Sequence, residues 1–434
     1  MTPKLPFDPA ESIQATRLAW AIDCYAAGEL TSGQIEATHE FDPGYDVAAH
    51  LRRFRMFRRP IDEVISYEPH PVRPRAVVRS GKDTAMVRVV LGDAPEHRIL
   101  AMALMKCPAP GVTTRLATES DARELRDLER RCPVETGGVS VYYDRGDDYF
   151  AQQRLMPHHV SSVAEYEGRI VGVSSDATHR IRVAGREYRA TYRFHLRVDP
   201  IARGLGVLPA LNASQGTFIL GERPLAIPSV FVAEQNEQML ATRGPDQSDQ
   251  DWETRVERII IPCRARSGPA FGRLARPEDA PRIALLLAGS HGSEELALDF
   301  DEAWVDERLS RSPRDYSWSN VMISENAVLG VWDSRLRIVR AGASGTTETR
   351  TATALDWGFT SGAEAEMEAL LRAACSSLTE RGVDDLVIFS SPPSLGRDLL
   401  VRLARTVERF RVATGGAQPS SDSTNGIYVD PVYF

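Results

Sequence analysis

No stretch of this 434-residue chain approaches the roughly 20 consecutive apolar residues of a membrane span. Its first residues, Met-Thr-Pro-Lys-Leu-Pro-Phe-Asp, hold neither an apolar signal core nor a cleavage site. Excess positive charge is also missing. The formal net charge is −8, so the basic field that nonspecific nucleic-acid or anionic-membrane binding requires is not there. A local arginine run, Leu51-Arg-Arg-Phe-Arg-Met-Phe-Arg-Arg59, alternates with apolar residues and reads as a solvated helix face. Cysteines are few, scattered and odd in number (Cys24, Cys107, Cys132, Cys263, Cys375), with no Cys-x-x-Cys. That excludes a disulfide framework and points to a reducing cytoplasm. The nine histidines show no metal-ligand spacing, and His158-His159 follows Pro157 on an expected loop. Also absent are Gly-x-x-x-x-Gly-Lys-Ser/Thr, Gly-x-Gly-x-x-Gly, Gly-x-Ser-x-Gly and Ser-x-x-Lys. A triphosphatase loop, a dinucleotide turn and a serine nucleophile are therefore not indicated. What is present, 42% hydrophobic and 26% charged residues, belongs to soluble globular protein of two or three domains.

One segment carries chemistry. Phe194, Leu196 and Val198 alternate with polar residues as in a strand, which stops at Asp199-Pro200. A turn follows, Arg203-Gly-Leu-Gly206, and a helix opens with Pro209 in its first turn. Strand, glycine turn and helix start form an anion site. Unpaired N–H groups and the helix dipole face the ligand, glycines admit it closely, and an arginine adds charge.

These residues resemble the acetyl-CoA loop of the GCN5-related N-acetyltransferases, Arg/Gln-x-x-Gly-x-Gly/Ala after a strand ending Val-x-Pro. Arg203 and Gly206 match, while Leu208 stands where the last small residue belongs. The resemblance implies that Leu196, Arg197 and Val198 lie along acetyl and pantetheine. It implies that Arg203, Gly204, Leu205, Gly206, Val207 and Leu208 hold the pyrophosphate. Asn236, in Ala233-Glu-Gln-Asn236, matches the family's asparagine beside the cofactor arm. The family's tyrosine acid, seven residues further on, is replaced by Arg243.

The chain also repeats. Arg115-Leu-Ala-Thr-Glu-Ser-Asp-Ala122 returns 158 residues later (273 minus 115) as Arg273-Leu-Ala-Arg-Pro-Glu-Asp-Ala280. Ala164–Val173 and Met322–Val331, then Ser229–Val232 and Val387–Ser390, keep that spacing. Three matches in register argue for two copies of one mixed α/β unit. Each has a lead helix (Ala122, Leu125, Leu128; Ile283, Leu286, Leu287), a hairpin near Glu167-Gly168 or Glu325-Asn326, a long strand, a helix and a buried strand. In the second copy Arg203, Gly206 and Leu208 map to Ser361, Glu364 and Glu366. Two carboxylates there would repel a pyrophosphate by about a few kcal/mol at an effective dielectric near 20.

The expected fold is therefore mixed α+β in three parts: an accessory domain (1–110), an acetyl-CoA-binding acetyltransferase domain (111–262) and a degenerate copy (270–434). Residues 262–269 serve as the linker. In the first part helices over 12–26 and through 52–57 precede strands at 75–79, 85–90 and 97–105. Arg53-Phe54 and Ala94-Pro-Glu-His-Arg-Ile99 are similar to a cystatin/steroid-isomerase-like module fused to serine-hydrolase-like proteins of clavulanate-type clusters.

The resemblance implies acetyl transfer from acetyl-CoA to an amine, most simply that of a small metabolite. Such transfer needs a proton acceptor for the amine, an oxyanion donor and an acid for the thiolate. His195, whose ordinary pKa near 6.5 suits proton removal, is the first candidate base. Glu165 is the second, and water the third. A homo-oligomer is compatible with the sequence. The rival readings are a catalytically silent acetyl-CoA sensor or assembly protein and a hydrolytic acyl-CoA enzyme.

Overall fold

The computed structural model describes residues 4–27, 61–71, 74–80, 83–92, 97–136, 138–219, 226–233, 252–265, 271–414 and 426–433. Near its start Ser12 caps helix α1 (Ile13–Ala27) by accepting the Ala15 N–H at 3.1 Å. Leu18, Ala21, Ile22 and Tyr25 recur at three- and four-residue spacing, and this face is buried on an antiparallel sheet. The sheet runs in order through β1 (Glu63–Glu68), β2 (Arg75–Ser80), β3 (Asp83–Leu91) and β4 (Ile99–Lys106). Helix followed by antiparallel strands is the expected pattern, with β1 unforeseen. The second expected helix, through 52–57, lies outside the described residues.

From residue 113 onward the described strands join one 14-stranded sheet. Its first half comprises β5 (Thr113–Leu116), α2 (Ala122–Arg131), β6 (Val134–Thr136), β7 (Val139–Asp144), α3 (Ala151–Arg154), β8 (His158–Tyr166), β9 (Arg169–Val183), β10 (Arg186–Val198), α4 (Val207–Ile219), β11 (Ala226–Ala233) and β12 (Trp252–Pro262). The second comprises β13 (Arg273–Leu274), α5 (Ala280–His291), α6 (Glu302–Arg311), β14 (Val321–Ile323), β15 (Ala327–Gly342), β16 (Gly345–Phe359), α7 (Glu364–Glu380), β17 (Asp385–Ser390), α8 (Arg397–Leu403) and β18 (Thr406–Thr414).

The sequence recurrence has a physical counterpart. Arg115 grips both oxygens of Asp121 at 2.7 and 2.8 Å, and Arg273 grips both of Asp279 at 2.6 Å. In each half this fork holds the edge strand to the first turn of the lead helix. His158-His159, expected on a loop, instead begins β8 and pairs with Thr178 and Ala177 of β9.

The halves are interleaved. Strand β11 takes β18 as its outer neighbour, from Ser229 opposite Thr414 to Ala233 opposite Phe410. Strand β12 pairs with β17 from Glu257 opposite Ser390 to Pro262 opposite Asp385, and β12 and β18 pair with each other. Strand β7 adds to the sheet beside β15. The largest apolar core accordingly mixes Tyr192 and Phe194 with Ile283, Leu286, Trp332 and Tyr428. Residues 426–433 thread between the halves, with Ile427, Tyr428, Val429 and Val432 buried. There Arg308 holds Asp430 at 2.9 and 3.0 Å and Asp356 at 2.9 Å. No described helix is long and apolar enough to cross a membrane.

Candidate functional site

Two parallel strands part company in the first half. Strand β10 pairs with β11 only from Arg189 opposite Ala226 to Tyr192 opposite Ser229. Beyond Tyr192, β10 continues to Val198 while β11 turns its bonding to β18. The register of β10 against β9 slips between Phe194 and Arg197, a bulge that bends the strand further away. Backbone groups of residues 194–198 on that side thus have no ladder partner among the described residues. A parted pair of this kind offers N–H and C=O groups to an extended amide-bearing chain.

The strand then leads into the glycine turn. Asp199 is buried, accepts from Arg131 Nε at 2.7 Å and from the Ile201 N–H at 3.2 Å, and so locks the 3-10 turn Pro200–Ala202. The turn closes with Arg203 N–H on Pro200 C=O at 3.3 Å and Leu205 N–H on Ala202 C=O at 3.2 Å. The N–H groups of Gly204, Gly206, Val207 and Leu208 take no partner among the described residues, as the first turn of a helix requires. Gly204 and Gly206 have φ of +85° and +75°, where a side chain is strained. Arg203 is exposed with no carboxylate partner among the described residues. Leu208 points outward and is 38% exposed. Helix α4 is pinned by Val207 and Leu211 over Gly172 of β9, where a Cβ would lie 2.5 Å from Val207 Cγ1. Free donors, a helix start and an arginine thus share one short loop, a corner with the composition that suits an anion.

The two candidate bases are both engaged by other side chains. His195 sits in the bulge at φ +53°, and alternation fails there because Phe194 and His195 are both buried. Its Nε2 donates to Gln152 Oε1 at 2.8 Å, and its Nδ1 meets the Gln153 amide at 3.2 Å. Gln152 also accepts from Arg145 at 3.0 Å and donates to the Val432 carbonyl at 2.7 Å. Burial, reinforced by Arg145 and Arg197, holds the imidazole well below its ordinary pKa. A ring with both nitrogens occupied and a strong bias to neutrality is poorly placed to take an amine's proton. Glu165, near the end of β8, is drawn onto Arg115 at 2.8 Å, toward the β5 edge. The structure does not bring His195 and Glu165 together. The Arg197 side chain turns onto buried Glu129 at 2.9 Å, leaving its backbone at the parting. Asn236 and Arg243 lie outside the described residues.

The second half repeats the parting but closes it. Strand β16 pairs with β17 only from Thr351 to Thr353. Alongside its continuation stand His291, bonded to the Trp357 carbonyl at 2.8 Å, and Tyr428, whose ring lies 5.0 Å from His291. At the start of α7, Glu366 accepts from Asn326 Nδ2 at 2.7 Å, the Asn326 N–H at 2.9 Å and Ser324 Oγ at 2.7 Å. Those bonds, Asn326 foremost, hold its carboxyl below the usual range. The helix start thus carries its own anion.

No family model and no curated protein matches the chain. Among solved structures it is similar to Saccharomyces cerevisiae N-myristoyltransferase with bound myristoyl-CoA, at TM-score 0.52 and 11% identity. That match covers 95% of this chain and 100% of that one. A structure of the same enzyme with myristoyl-CoA and inhibitors gives TM-score 0.52, 11% identity and coverage of 95% and 97%. A GCN5-related N-acetyltransferase from Sphaerobacter thermophilus aligns at TM-score 0.40 and 12% identity, over 72% of this chain and 98% of its own. The fold is the mixed α+β fold of that N-myristoyltransferase.

Proposed function

We propose that the protein transfers an acyl group, acetyl in the simplest case, from acyl-CoA to the amine of a small metabolite, using the first half alone. One observation carries this reading: the parted, bulged strand β10 runs directly into a glycine turn that has free N–H groups and includes the exposed Arg203. An extended pantetheine fits the first feature and a pyrophosphate the second. The residues match the group they would hold.

In the reaction the amine nitrogen attacks the thioester carbonyl. The C–N bond forms, the C–S bond breaks, and the thiolate leaves as the free thiol of CoA. Backbone N–H groups near Val198 are the available oxyanion donors. The amine's proton passes to water in this reading, supported by the engagement of His195 with Gln152 and of Glu165 with Arg115. A chain of net charge −8 suits a neutral or cationic acceptor in the cytoplasm.

A second reading, a silent acyl-CoA sensor, is favoured by the burial of His195. Free-thiol release from acetyl-CoA, measured across a panel of amines, separates the readings. Acceptor-dependent release supports transfer, acceptor-independent release means hydrolysis, and binding without release leaves the sensor.

A further inference from the structure

The N-terminal sheet ends on the anion-binding corner. Strand β4 finishes at Lys106, and the next residue, Cys107, still donates its N–H to Thr84 of β3 at 2.9 Å. Two residues on, the Ala109 N–H donates to the Leu205 carbonyl at 2.8 Å. Between them the chain lies flat against Gly206. A Cβ on Gly206 would be 2.7 Å from the Cys107 carbonyl oxygen and 2.8 Å from Pro108 Cα, both backbone atoms. The Ala109 carbonyl in turn accepts the Val112 N–H at 3.1 Å, one residue before β5.

Peptide geometry gives this contact a directional meaning. In a trans peptide the C=O of one residue and the N–H of the next point to opposite sides. Ala109 holds the Leu205 carbonyl on the side of the N-terminal unit, so the Gly206 N–H is turned to the other side. That N–H is one of the free donors of the corner. Without that anchor a peptide with glycine on its C-terminal side can turn over at little steric cost, and the flipped orientation would present a carbonyl to an anion.

We propose that Cys107–Ala109 is a backbone clamp that fixes the Leu205–Gly206 peptide, making the N-terminal unit a positioning part of the acyl-CoA site. The inference rests on the pyrophosphate reading of the loop. It assigns residues 1–110 a task in cofactor recognition, with Ala109 as a positioning residue.

The test uses the full chain, with CoA and pantetheine as calorimetric probes. Pantetheine lacks the pyrophosphate, so the ratio of the two affinities isolates the corner. Ala109→Pro removes the clamping N–H, and Ala109→Gly keeps it. Ala109→Pro should lower the CoA-to-pantetheine affinity ratio about three- to tenfold, the effect of misplacing one hydrogen bond to a charged group. Ala109→Gly should hold the wild-type ratio. An unchanged ratio in folded Ala109→Pro overturns the clamp. A wild-type protein that binds both probes equally overturns the pyrophosphate reading instead. If Ala109→Pro fails to fold, Pro108→Gly, which loosens the segment and keeps the N–H, should lower the ratio in the same direction. A full wild-type ratio in that variant overturns the clamp as well.

Discussion

Replacing Gly206 by alanine should do far more harm than the same change at Gly204, two residues earlier. Both glycines sit at positive φ, +85° at 204 and +75° at 206, so both alanines incur left-handed strain of about 1–2 kcal/mol. Their surroundings differ. A Cβ at 204 meets nothing within 4 Å, whereas one at 206 falls 2.7 and 2.8 Å from backbone atoms of Cys107 and Pro108. Backbone cannot rotate aside as a side chain can, so the overlap adds about 1–3 kcal/mol or pushes the segments apart. Gly204→Ala should therefore cost about 1–2 kcal/mol and Gly206→Ala about 2–5 kcal/mol. Separation of loop and clamp would also misdirect the anion donors, weakening acetyl-CoA binding at least tenfold, ~1.4 kcal/mol. Gly206→Glu adds a like charge and should be worse. Urea unfolding gives the stability difference and calorimetry the affinity. Equal effects at the two positions, or full affinity in a folded Gly206→Ala, would refute the reasoning.

Other outcomes follow from the same geometry. His195→Gln should keep turnover within about threefold, since general-base loss would cost about 10²–10⁴. The folded His195 is depressed below the unfolded value of about 6.5, so its stabilising effect is complete above that pH and lost as pH falls below it. His195→Gln should flatten that acid limb of stability, read from unfolding midpoints at pH 5 and 7. A hundredfold loss of turnover at unchanged stability would restore the ring as base. Acetyl-CoA should saturate at one equivalent per chain in calorimetry, and Glu366→Gln should open no second site, because His291 still occupies the Trp357 carbonyl of β16. Two equivalents would undo the asymmetry. Arg308→Met leaves Asp356 and Asp430 buried without their cation and should cost about 3–5 kcal/mol by urea unfolding. A shift under about 1 kcal/mol would refute the dependence of these carboxylates on the Arg308 cation.

Short-range features were legible in the sequence. Asp199-Pro200, the two glycines and Pro209 each dictate local backbone geometry, and the loop took the form they specify. The recurrence was legible because Arg115 and Asp121 are close neighbours, as are Arg273 and Asp279. Alternation misled at His195, where the bulge inserts a residue and turns two successive side chains inward. Nothing local marks Gln152 and Gln153 as its partners, since packing of a short helix on a distant strand brings them there. The same holds for Ala109, whose N–H target lies in a segment the sequence treats separately. The exchange of β12 and β18 was invisible for the same reason. An apolar strand carries its propensity in its residues, but its neighbour is chosen by the whole sheet.

That exchange sets an order of events during synthesis. Strand β11, which forms one wall of the parting, has β18 as its outer neighbour. When β11 leaves the ribosome that edge has nothing to pair with, and the strand that will cover it is still untranslated. The first half therefore cannot mature first and wait for the other, because its sheet is completed only when nearly the whole chain has emerged. Cutting the connection between Cys263 and Phe271 in the finished protein should likewise leave two fragments that stay bound. Expressed separately, each would display a bare sheet edge and aggregate.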